Sequence, residues 1–442
     1  CLSGFPGKSP SYDALEFAIN ECHKRGMELH AWVVTIPVGK WNSLGCKRLR
    51  QRFPGLIRKI DDEGYMNPEM PETAEYLATL CKEITEKYDI DGINLDYIKY
   101  PETWKIKVSG NQGRRYITKI VEAISSEVKS IKPWVKMSCS PIGKADDLTR
   151  YWSHGWNAYS TVLQDAQGWM KNGLMDELFP MMYFKENNFY PFAIDWKELS
   201  DNKIICPGLG IYFMSPSEKD WSLDDITREM EITRQYGMGH AYFRSKFFTD
   251  NTKGIYDFAT NGFDIAPALV PAMTWIDSIS PKPPTGITQS DGVLLWNKEM
   301  NITYNIYSSK TWPVDISKSE NLMLARQETN NINIPTNDDR YYAITAMDRY
   351  GNESEAVQSA TKVCNTAKFI SNDGEKAMLP AWYNECDGMI IATGLNGNTI
   401  KTLRTKSNTI DIRSLKDGMY QIRIINKKDI SHRIGFIKIK RF

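Results

Sequence analysis

Apolar residues along the first 275 positions alternate between helical spacing and short continuous runs. The helical spacing predicts helices over 12–25, 72–88, 117–128, 158–173 and 223–236; the runs predict strands over 27–36, 90–98, 135–142, 176–184, 203–213 and 239–248. Strict alternation predicts a parallel sheet covered by helices. A closed barrel of this kind has eight strands. Six predicted strands therefore indicate an open sheet or two absent strands, and because the first element is a helix we expect the deficit at the N-terminal end.

The pattern changes near residue 275. A proline-rich stretch, SISPKPPTGI over 278–287, marks a boundary. Short alternating runs separated by polar turns follow it, and they predict one all-β module to about residue 364 and a second to the end of the chain. We therefore predict three domains: an α/β barrel-like domain over 1–277, a β-sandwich over 278–364 and a second β-sandwich over 365–442.

Composition excludes several classes of protein. The chain has 442 residues with a formal net charge of +1, so it has no global basic field for nucleic acid. No apolar run is long enough to predict a transmembrane helix. The eight cysteines form no C-x-x-C pair, the five histidines do not cluster, and no phosphate-binding or dinucleotide fingerprint is complete. We predict no metal and no cofactor.

The segment DGINLDYIKYP over 91–101 is the most informative for chemistry. Side chains of a strand alternate between its two faces, so Ile93 and Leu95 are expected to face the helices, and Asn94 and Asp96 the barrel interior. A buried ionised carboxylate is costly unless it is hydrogen-bonded or near water. The C-terminal rim of the strands, where barrel active sites lie, satisfies this condition. The alternative is an aspartate that only ties a loop to a neighbouring cation.

Five further positions are weaker candidates for binding a substrate. His30 and Trp32 share one face of their strand, while Tyr183 and Tyr212 end predicted strands and Arg244 lies on the last one. Flat aromatic rings with polar edges suit the faces of sugars, but they equally suit a protein core. Each of these residues therefore keeps a structural alternative.

Residues from 12 to about 248 resemble the bacterial glycosyl-hydrolase-like family 10. The resemblance is carried by YDALEFAINECHKRGMELHAW, YMNPEMPETAEYL, DGINLDYIKYP and QDAQGWMKNGLMDELFPMMY. It implies a (β/α)₈ TIM-type barrel of secreted or envelope proteins that act on polysaccharide, some of them implicated in cleaving peptidoglycan glycan strands. It also implies that the first two barrel strands are absent here, and that Cys1 falls within a barrel loop rather than being a lipidated cysteine. We expect an extracytoplasmic location.

Other resemblances concern single segments. The pattern G-x-N-x-D-x-x-K resembles the nucleophile strand of α-amylase-type barrels, which implies that Asp96 is the nucleophile or cation stabiliser and Lys99 a rim contact. The chitinase pattern fits worse, because its acid would fall on Ile98. Residues 281–362 resemble a fibronectin type III module through Trp296 and YYAITAMDRYGNES, and 386–442 resemble the C-terminal sorting module common in Bacteroidetes through IDIRSLKDGMYQIRI.

The leading hypothesis is a glycosidase that cleaves a polysaccharide, with peptidoglycan glycan strands as one candidate. Hydrolysis needs a second carboxyl group, and Glu186, just beyond a predicted strand, is the best candidate for the acid; Asp146 and Asp147 look like a helix cap. Aromatic side chains available to stack on sugars are Trp32, Tyr97, Tyr100, Trp152 and Trp156. The alternatives are a non-catalytic carbohydrate-binding or envelope-scaffold protein and an inactive, shortened barrel. The expected partner is a glycan, with association with the cell envelope.

Overall fold

The computed structural model describes residues 11–151, 155–290, 292–335, 340–359, 375–378, 389–394, 399–404, 409–425 and 431–438. The expectations for Cys1 and Trp152 concern positions outside these ranges. The first unit consists, in chain order, of α1 (Ala14–His23), β1 (His30–Val34), β2 (Pro37–Lys40), α2 (Leu44–Arg52), β3 (Ile57–Ile60), β4 (Glu63–Met66), α3 (Pro71–Lys87), β5 (Gly92–Asp96), α4 (Gly110–Ile131), β6 (Lys136–Cys139), α5 (Ala158–Thr161), α6 (Ala166–Lys171), β7 (Glu177–Leu178), α7 (Tyr190–Glu198), β8 (Ile204–Ile205), β9 (Gly208–Leu209), α8 (Leu223–Gln235), β10 (Ala241–Tyr242), α9 (Ser245–Thr249) and α10 (Ile255–Phe258).

Parallel strands follow one another across this unit in sequence order. Strands β1, β5, β6, β7 and β8 form a five-stranded sheet, and β9, which continues the path of β8 beyond Pro207, pairs in parallel with β10. The backbone amides of Gly239 and Ala241 extend this pairing by donating to Ile205 and Pro207. The α/β character and the six predicted strands are thus confirmed. The closed eight-stranded barrel stays a prediction, because in the described residues β1 and β10 are the two edges of this arrangement.

Several predicted elements are wrong in part. The strand expected over 176–184 is only Glu177–Leu178, and the one expected over 203–213 is the two short strands β8 and β9 followed by a 3₁₀ turn, Ile211–Met214. The strand expected over 239–248 ends at Tyr242, and helix α9 follows from Ser245, where Lys246 and Asp250 form an i, i+4 ion pair. The single helix expected over 158–173 is two short helices, α5 and α6. Leu163 between them has a left-handed backbone with a φ of +58°, which cannot continue a helix.

An insertion between β1 and α3 was not foreseen from the sequence. It consists of helix α2 and an antiparallel sheet in the order β2-β4-β3. Its packing is tight around Gly64, where an added Cβ would lie 2.6 Å from the Cys46 sulfur. Because it follows the C-terminal end of β1, this insertion stands on the side of the sheet where parallel-strand active sites form.

Helices α3 and α4 pack together and cover the outer face of the sheet. Helix α4 buries one stripe formed by Ile117, Ile120, Val121, Ile124 and Val128. Ile93 and Leu95 are fully buried in the same core, as strand alternation predicted. Their burial fixes Asn94 and Asp96 on the opposite face of β5. No helix in the described ranges is long and apolar enough to span a membrane.

The second unit is two facing antiparallel sheets. Its strands are β11 (Thr288–Ser290), β12 (Val293–Leu295), β13 (Thr303–Ser309), β14 (Leu322–Gln327), β15 (Asn331–Asn333), β16 (Tyr341–Met347) and β17 (Val357–Gln358). They form a three-stranded sheet, β11-β12-β15, and a four-stranded sheet, β14-β13-β16-β17. Trp296 is buried in the core, with its ring 5.4 Å from that of Tyr304. The resemblance to fibronectin type III stays a prediction.

The last part of the chain contributes β18 (Lys376–Met378), β19 (Met389–Gly394), β20 (Thr399–Arg404), β21 (Thr409–Asp411), β22 (Gly418–Ile425) and β23 (Ser431–Lys438). They pair antiparallel as β18-β21 and as β20-β19-β22-β23. Ile390, Ile410 and Ile422 are buried in a small core of their own. The predicted all-β structure is observed in the described residues, and the resemblance to a sorting module stays a prediction.

The second unit contacts the first at the N-terminal ends of the parallel strands. Arg326 of β14 donates to Glu28 at 2.8 Å and to Asp91 at 2.7 Å, and both carboxylates are buried. Trp275 donates from its indole nitrogen to Asp176 at 2.8 Å. These contacts lie at the end of the sheet opposite to the C-terminal rim.

Candidate functional site

Asp96 is the last residue of β5, and both of its carboxylate oxygens accept hydrogen bonds. The indole N–H of Trp32 donates to Oδ2 at 3.1 Å, and the backbone N–H of Tyr97 donates to Oδ1 at 2.8 Å. Thr35 holds the strand end by donating from its hydroxyl, at 2.8 Å, and its backbone to the Asp96 carbonyl. Trp32 and Tyr97 therefore orient the side chain, and Thr35 holds the backbone, at the C-terminal end of β5 where sequence analysis placed Asp96.

Burial raises the pKa of the Asp96 carboxyl above its usual range. The hydrogen bonds from Tyr97 and Trp32 and the charge of Lys99 oppose this rise, because they favour the ionised form. Asp96 is 9% exposed, whereas the Trp32 ring is 67% exposed. A carboxyl with a raised pKa thus lies beside a solvent-exposed aromatic side chain.

The residues that follow Asp96 build one wall of the site. Tyr97 has a left-handed backbone with a φ of +55°, and its side chain is 46% exposed. The buried Lys99 donates from Nζ to Glu102 at 2.5 Å, and the same ammonium lies 5.7 Å from the centre of the Tyr97 ring. Asp96, Tyr97 and Lys99 are therefore brought together, as the sequence predicted.

A cluster of aromatic rings lies in the segments that follow β7, β9 and β10. The Tyr183 ring lies 5.7 Å from Tyr212 and 5.5 Å from Phe243, in edge-to-face and tilted arrangements. Burial raises the pKa of Tyr183, and electrostatic interactions with Tyr212 and Asp96 add to this effect. Tyr183 thus lies within electrostatic reach of Asp96. Phe243, which sequence analysis did not select, contributes an exposed ring to the cluster.

Four other predicted site residues lie apart from this arrangement or at its margin. Asn94 bonds to Ser138 at 3.2 Å and to Ser140 at 3.1 Å, so its amide ties β5 to β6. His30 lies at the N-terminal end of β1, 3.4 Å from Glu28. Because this end of the sheet is away from Asp96, we interpret His30 as a structural residue rather than a substrate contact.

Glu186 and Arg244 are both exposed. Glu186 begins a short 3₁₀ turn, Glu186–Asn188, in the loop that follows β7, with a φ of +52°. Arg244 follows β10, and its guanidinium lies 5.9 Å from the Phe247 ring. Both lie in loops after parallel strands, but among the described residues the carboxylate of Asp96 is hydrogen-bonded to Trp32 and Tyr97 and not to either of them.

A cleft next to Asp96 is formed by residues that sequence analysis mostly missed. It has a volume of about 330 Å³ and is lined by Ile36, Pro37, Glu63, Tyr65, Tyr97, Lys99, Pro101 and Glu102. One wall comes from the insertion after β1 and the other from the loop after β5. The signal available in the sequence was the length of the β1–α3 connection, because loops after parallel strands build the sites of such folds.

Metal-ligating side chains do not assemble in the part of the chain that the structure describes: groups of three or more His, Cys, Asp or Glu with suitable placement are absent there. The groups that the site itself presents are carboxyl, amine and aromatic side chains. These are the groups with which proteins orient and cleave neutral polar substrates.

Residues 2–112 and 111–214 match the protein family described as Glycosyl hydrolase-like 10. The matched region contains β1, β5, the insertion between them and the cleft, so it contains Asp96 and its donors. Together with the curated relatives, this match supports a carbohydrate-active protein.

Two curated relatives are bacterial glycosyl hydrolases. Glycosyl hydrolase YngK of Bacillus subtilis (strain 168) is 27% identical over 414 residues, covering 82% of this chain and 80% of that protein. Glycosyl hydrolase DigH of Escherichia coli (strain K12) is 27% identical over 214 residues, covering 41% of this chain. The chain spans about half the length of DigH, 49% of it.

Solved structures that resemble the chain are distant. The glycoside hydrolase domain of PgaB from Bordetella bronchiseptica has a TM-score of 0.37 at 11% identity, covering 53% of this chain and 74% of that one. Alpha-L-fucosidase isoenzyme 2 from Paenibacillus thiaminolyticus has a TM-score of 0.39 at 11% identity, covering 77% and 66%. At this distance no residue role is transferred from them.

Proposed function

We propose that the chain is a glycoside hydrolase that cleaves O-glycosidic bonds of a polysaccharide at the C-terminal edge of its parallel sheet. The observation that carries the proposal is the position of Asp96: a buried carboxyl at the C-terminal end of a parallel strand, oriented by Trp32 and Tyr97 beside an exposed aromatic side chain. Asp96 acts as the nucleophile or as the stabiliser of the oxocarbenium-like transition state. The match to a glycosyl-hydrolase-like family supports this reaction class.

The donors to Asp96 have defined roles in this reaction. An attacking or stabilising carboxylate must be ionised and must keep its orientation while the sugar develops positive charge. Trp32 and Tyr97 each donate to a different oxygen, so they favour the ionised form and hold the plane of the carboxylate. Burial strengthens the attraction between Asp96 and a cationic sugar, because water screens it less.

The reaction also needs an acid that protonates the leaving oxygen. We propose Glu186 for this role. It follows β7, and Tyr183, three residues earlier, lies within electrostatic reach of Asp96. Glu102 is less suited, because its carboxylate already forms an ion pair with the Lys99 ammonium at 2.5 Å.

We propose peptide-free peptidoglycan glycan strands as the first substrate to examine, in an extracytoplasmic setting. The experiment incubates the protein with these strands and with a panel of neutral polysaccharides, and detects new reducing ends and released fragments by mass spectrometry. We expect Asp96→Asn to abolish release and Glu186→Gln to lower it strongly. Asp195→Asn is the matched control. Asp195 lies on helix α7, burial raises the pKa of its carboxyl as it does for Asp96, and the side chain of Gln167 donates to it at 3.1 Å. Equal release by wild type and Asp96→Asn would refute the assignment of Asp96.

A non-catalytic carbohydrate-binding protein is the second candidate. The observation that favours it is the exposure of Glu186, whose carboxyl lies outside the hydrogen-bonded group around Asp96. The two candidates differ in one measurement. A binding protein would retain affinity for a glycan that neither wild type nor any variant degrades during prolonged incubation.

A further inference from the structure

The cleft beside Asp96 has its own walls and its own chemistry. The insertion contributes Glu63 and Tyr65 from strand β4, and the loop after β5 contributes Tyr97, Lys99 and Glu102. Its volume of about 330 Å³ lies within the usual range for ligand pockets, about 300–1,000 Å³. Tyr97 joins the two regions, because its backbone N–H holds Asp96 while its side chain lines the cleft.

The charged groups that solvent reaches in this cleft are carboxylates. Lys99 is only 3% exposed, and its ammonium is bonded to Glu102, whose side chain is 50% exposed. Glu63 is 35% exposed and pairs with Lys40 at 2.7 Å, and Lys40 does not line the cleft. The residues that line the cleft therefore offer a ligand hydrogen-bond acceptors and two tyrosines; Lys99 among them is buried, and Lys40, 68% exposed, lies outside the lining.

We propose that this cleft is a saccharide subsite that receives an uncharged pyranose unit of the glycan next to the bond at Asp96. The proposal rests on the proposed function and adds the position and the charge class of one bound sugar. Tyr65 and Tyr97 supply apolar ring surface for the sugar face, and Glu63 and Glu102 accept its hydroxyl hydrogens. A sugar carrying a carboxylate is rejected here, because it would be brought close to two carboxylates.

The insertion explains why such a subsite exists on this side. Strand β4 is held against β2 and β3, with Tyr65 paired to Pro37 and Arg58 in the ladder. The backbone N–H of Met66 donates to the Ile36 carbonyl at 2.8 Å, which fixes the insertion to the end of β1. The wall is thus attached to the same strand that supplies Trp32 to Asp96.

The experiment measures binding to the Asp96→Asn protein, so that hydrolysis does not consume the probe. Hexasaccharides of N-acetylglucosamine, glucose in α-1,4 linkage and glucose in β-1,4 linkage are titrated by calorimetry, beside a hexasaccharide of uronic acids. We expect at least one neutral hexamer to bind, the uronate to bind at least about tenfold more weakly, and Tyr65→Leu to weaken neutral binding about fivefold to tenfold. Tyr65→Phe keeps the ring and is expected to restore most of this binding.

Tyr256→Leu is the matched control, because Tyr256 is an exposed tyrosine on α10 that does not line the cleft. Equal affinities of Tyr65→Leu and Tyr256→Leu for the neutral hexamer overturn the subsite, as does the absence of binding by every neutral hexamer. Tighter binding of the uronate overturns the charge class. We expect Glu63→Gln with Glu102→Gln to narrow the difference between neutral and acidic probes. Hydrolysis that is unaffected by Asp96→Asn would refute the proposed function while leaving these binding results to decide the cleft.

Discussion

Replacement of Arg326 by methionine tests how the second unit is attached to the first. The guanidinium is 12% exposed and donates to Glu28 and Asp91, whose side chains are 8% and 5% exposed. Neither carboxylate would be left without a partner, because Lys136 donates to Glu28 at 2.8 Å and His23 lies 2.8 Å from Asp91. Breaking a buried charge pair costs about 3–5 kcal/mol. Because these other partners are kept, we expect a loss near the lower end, about 3 kcal/mol.

The pH dependence of this loss has a definite sign. Burial raises the pKa of Asp91, but the His23 hydrogen bond and the Arg326 charge outweigh it, so the pKa ends below its usual range. The pKa of Glu28 is also lowered, with the hydrogen bond of His30 and the charges of Lys136 and Arg326 outweighing burial. A carboxyl with a lowered folded-state pKa stabilises the protein above its unfolded-state pKa and loses this contribution as pH falls. The difference between wild type and Arg326→Met should therefore shrink below about pH 4.

Urea unfolding followed by circular dichroism, at pH 7 and at pH 3.5, measures both effects. The matched control is Arg150→Met, because Arg150 pairs with Glu198 at 2.6 Å while both side chains are about half exposed. Exposed pairs of this kind contribute little to stability, because water screens the two charges. If Arg326→Met at pH 7 loses no more stability than Arg150→Met, the buried network is not what joins the two units.

Three further outcomes follow from single side chains. Trp32→Phe removes the donor to Asp96 Oδ2, so the pKa of Asp96 should rise further. The acid limb of the pH–rate profile of hydrolysis should therefore move to higher pH, and an acid limb that does not move would contradict this role of Trp32. Glu229 is 1% exposed with neither carboxylate oxygen hydrogen-bonded in the described residues, and burial raises its pKa well above the usual range. Glu229→Met should therefore stabilise the folded protein by about 1–3 kcal/mol. The rise in melting temperature should be larger at pH 9 than at pH 5, and a rise that did not grow with pH would contradict a buried carboxyl that is costly to ionise. Gly26 has a φ of +70°, and an added Cβ would lie 2.1 Å from a carbonyl oxygen of β14. Gly173 has a similar φ of +73°, but an added Cβ there would have nothing within 4 Å, so Gly26→Ala should lower the melting temperature more than Gly173→Ala. Equal losses would show that only the backbone conformation matters.

The sequence predicted the parallel strands and the face of β5 because both depend on local periodicity. Ile93 and Leu95 are fully buried, and Asp96 lies on the other face at the end of its strand. Element ends were predicted less well. The strand expected through Phe248 stops at Tyr242, because a helix of equally apolar residues follows it and apolar spacing over four residues does not distinguish the two.

The candidate site was predicted in part. Asp96, Tyr97, Lys99, Trp32 and the tyrosine cluster lie together, whereas His30 lies at the other end of β1. Strand alternation predicts which face of the sheet a side chain occupies, but not how near it lies to the C-terminal rim. His30 and Trp32 share a face, yet only Trp32 reaches the rim.

By itself the sequence determined the α/β character, the direction of Asp96 and the change to β-structure near residue 275. Tertiary structure decided which groups meet: Trp32 donates to Asp96 across 64 positions, the insertion after β1 faces the loop after β5, and Arg326 contacts Glu28 across 298 positions. Periodicity is a local property because it reflects the geometry of successive backbone units. Contacts between distant residues depend on how whole elements pack, which no local pattern of apolar and polar residues encodes.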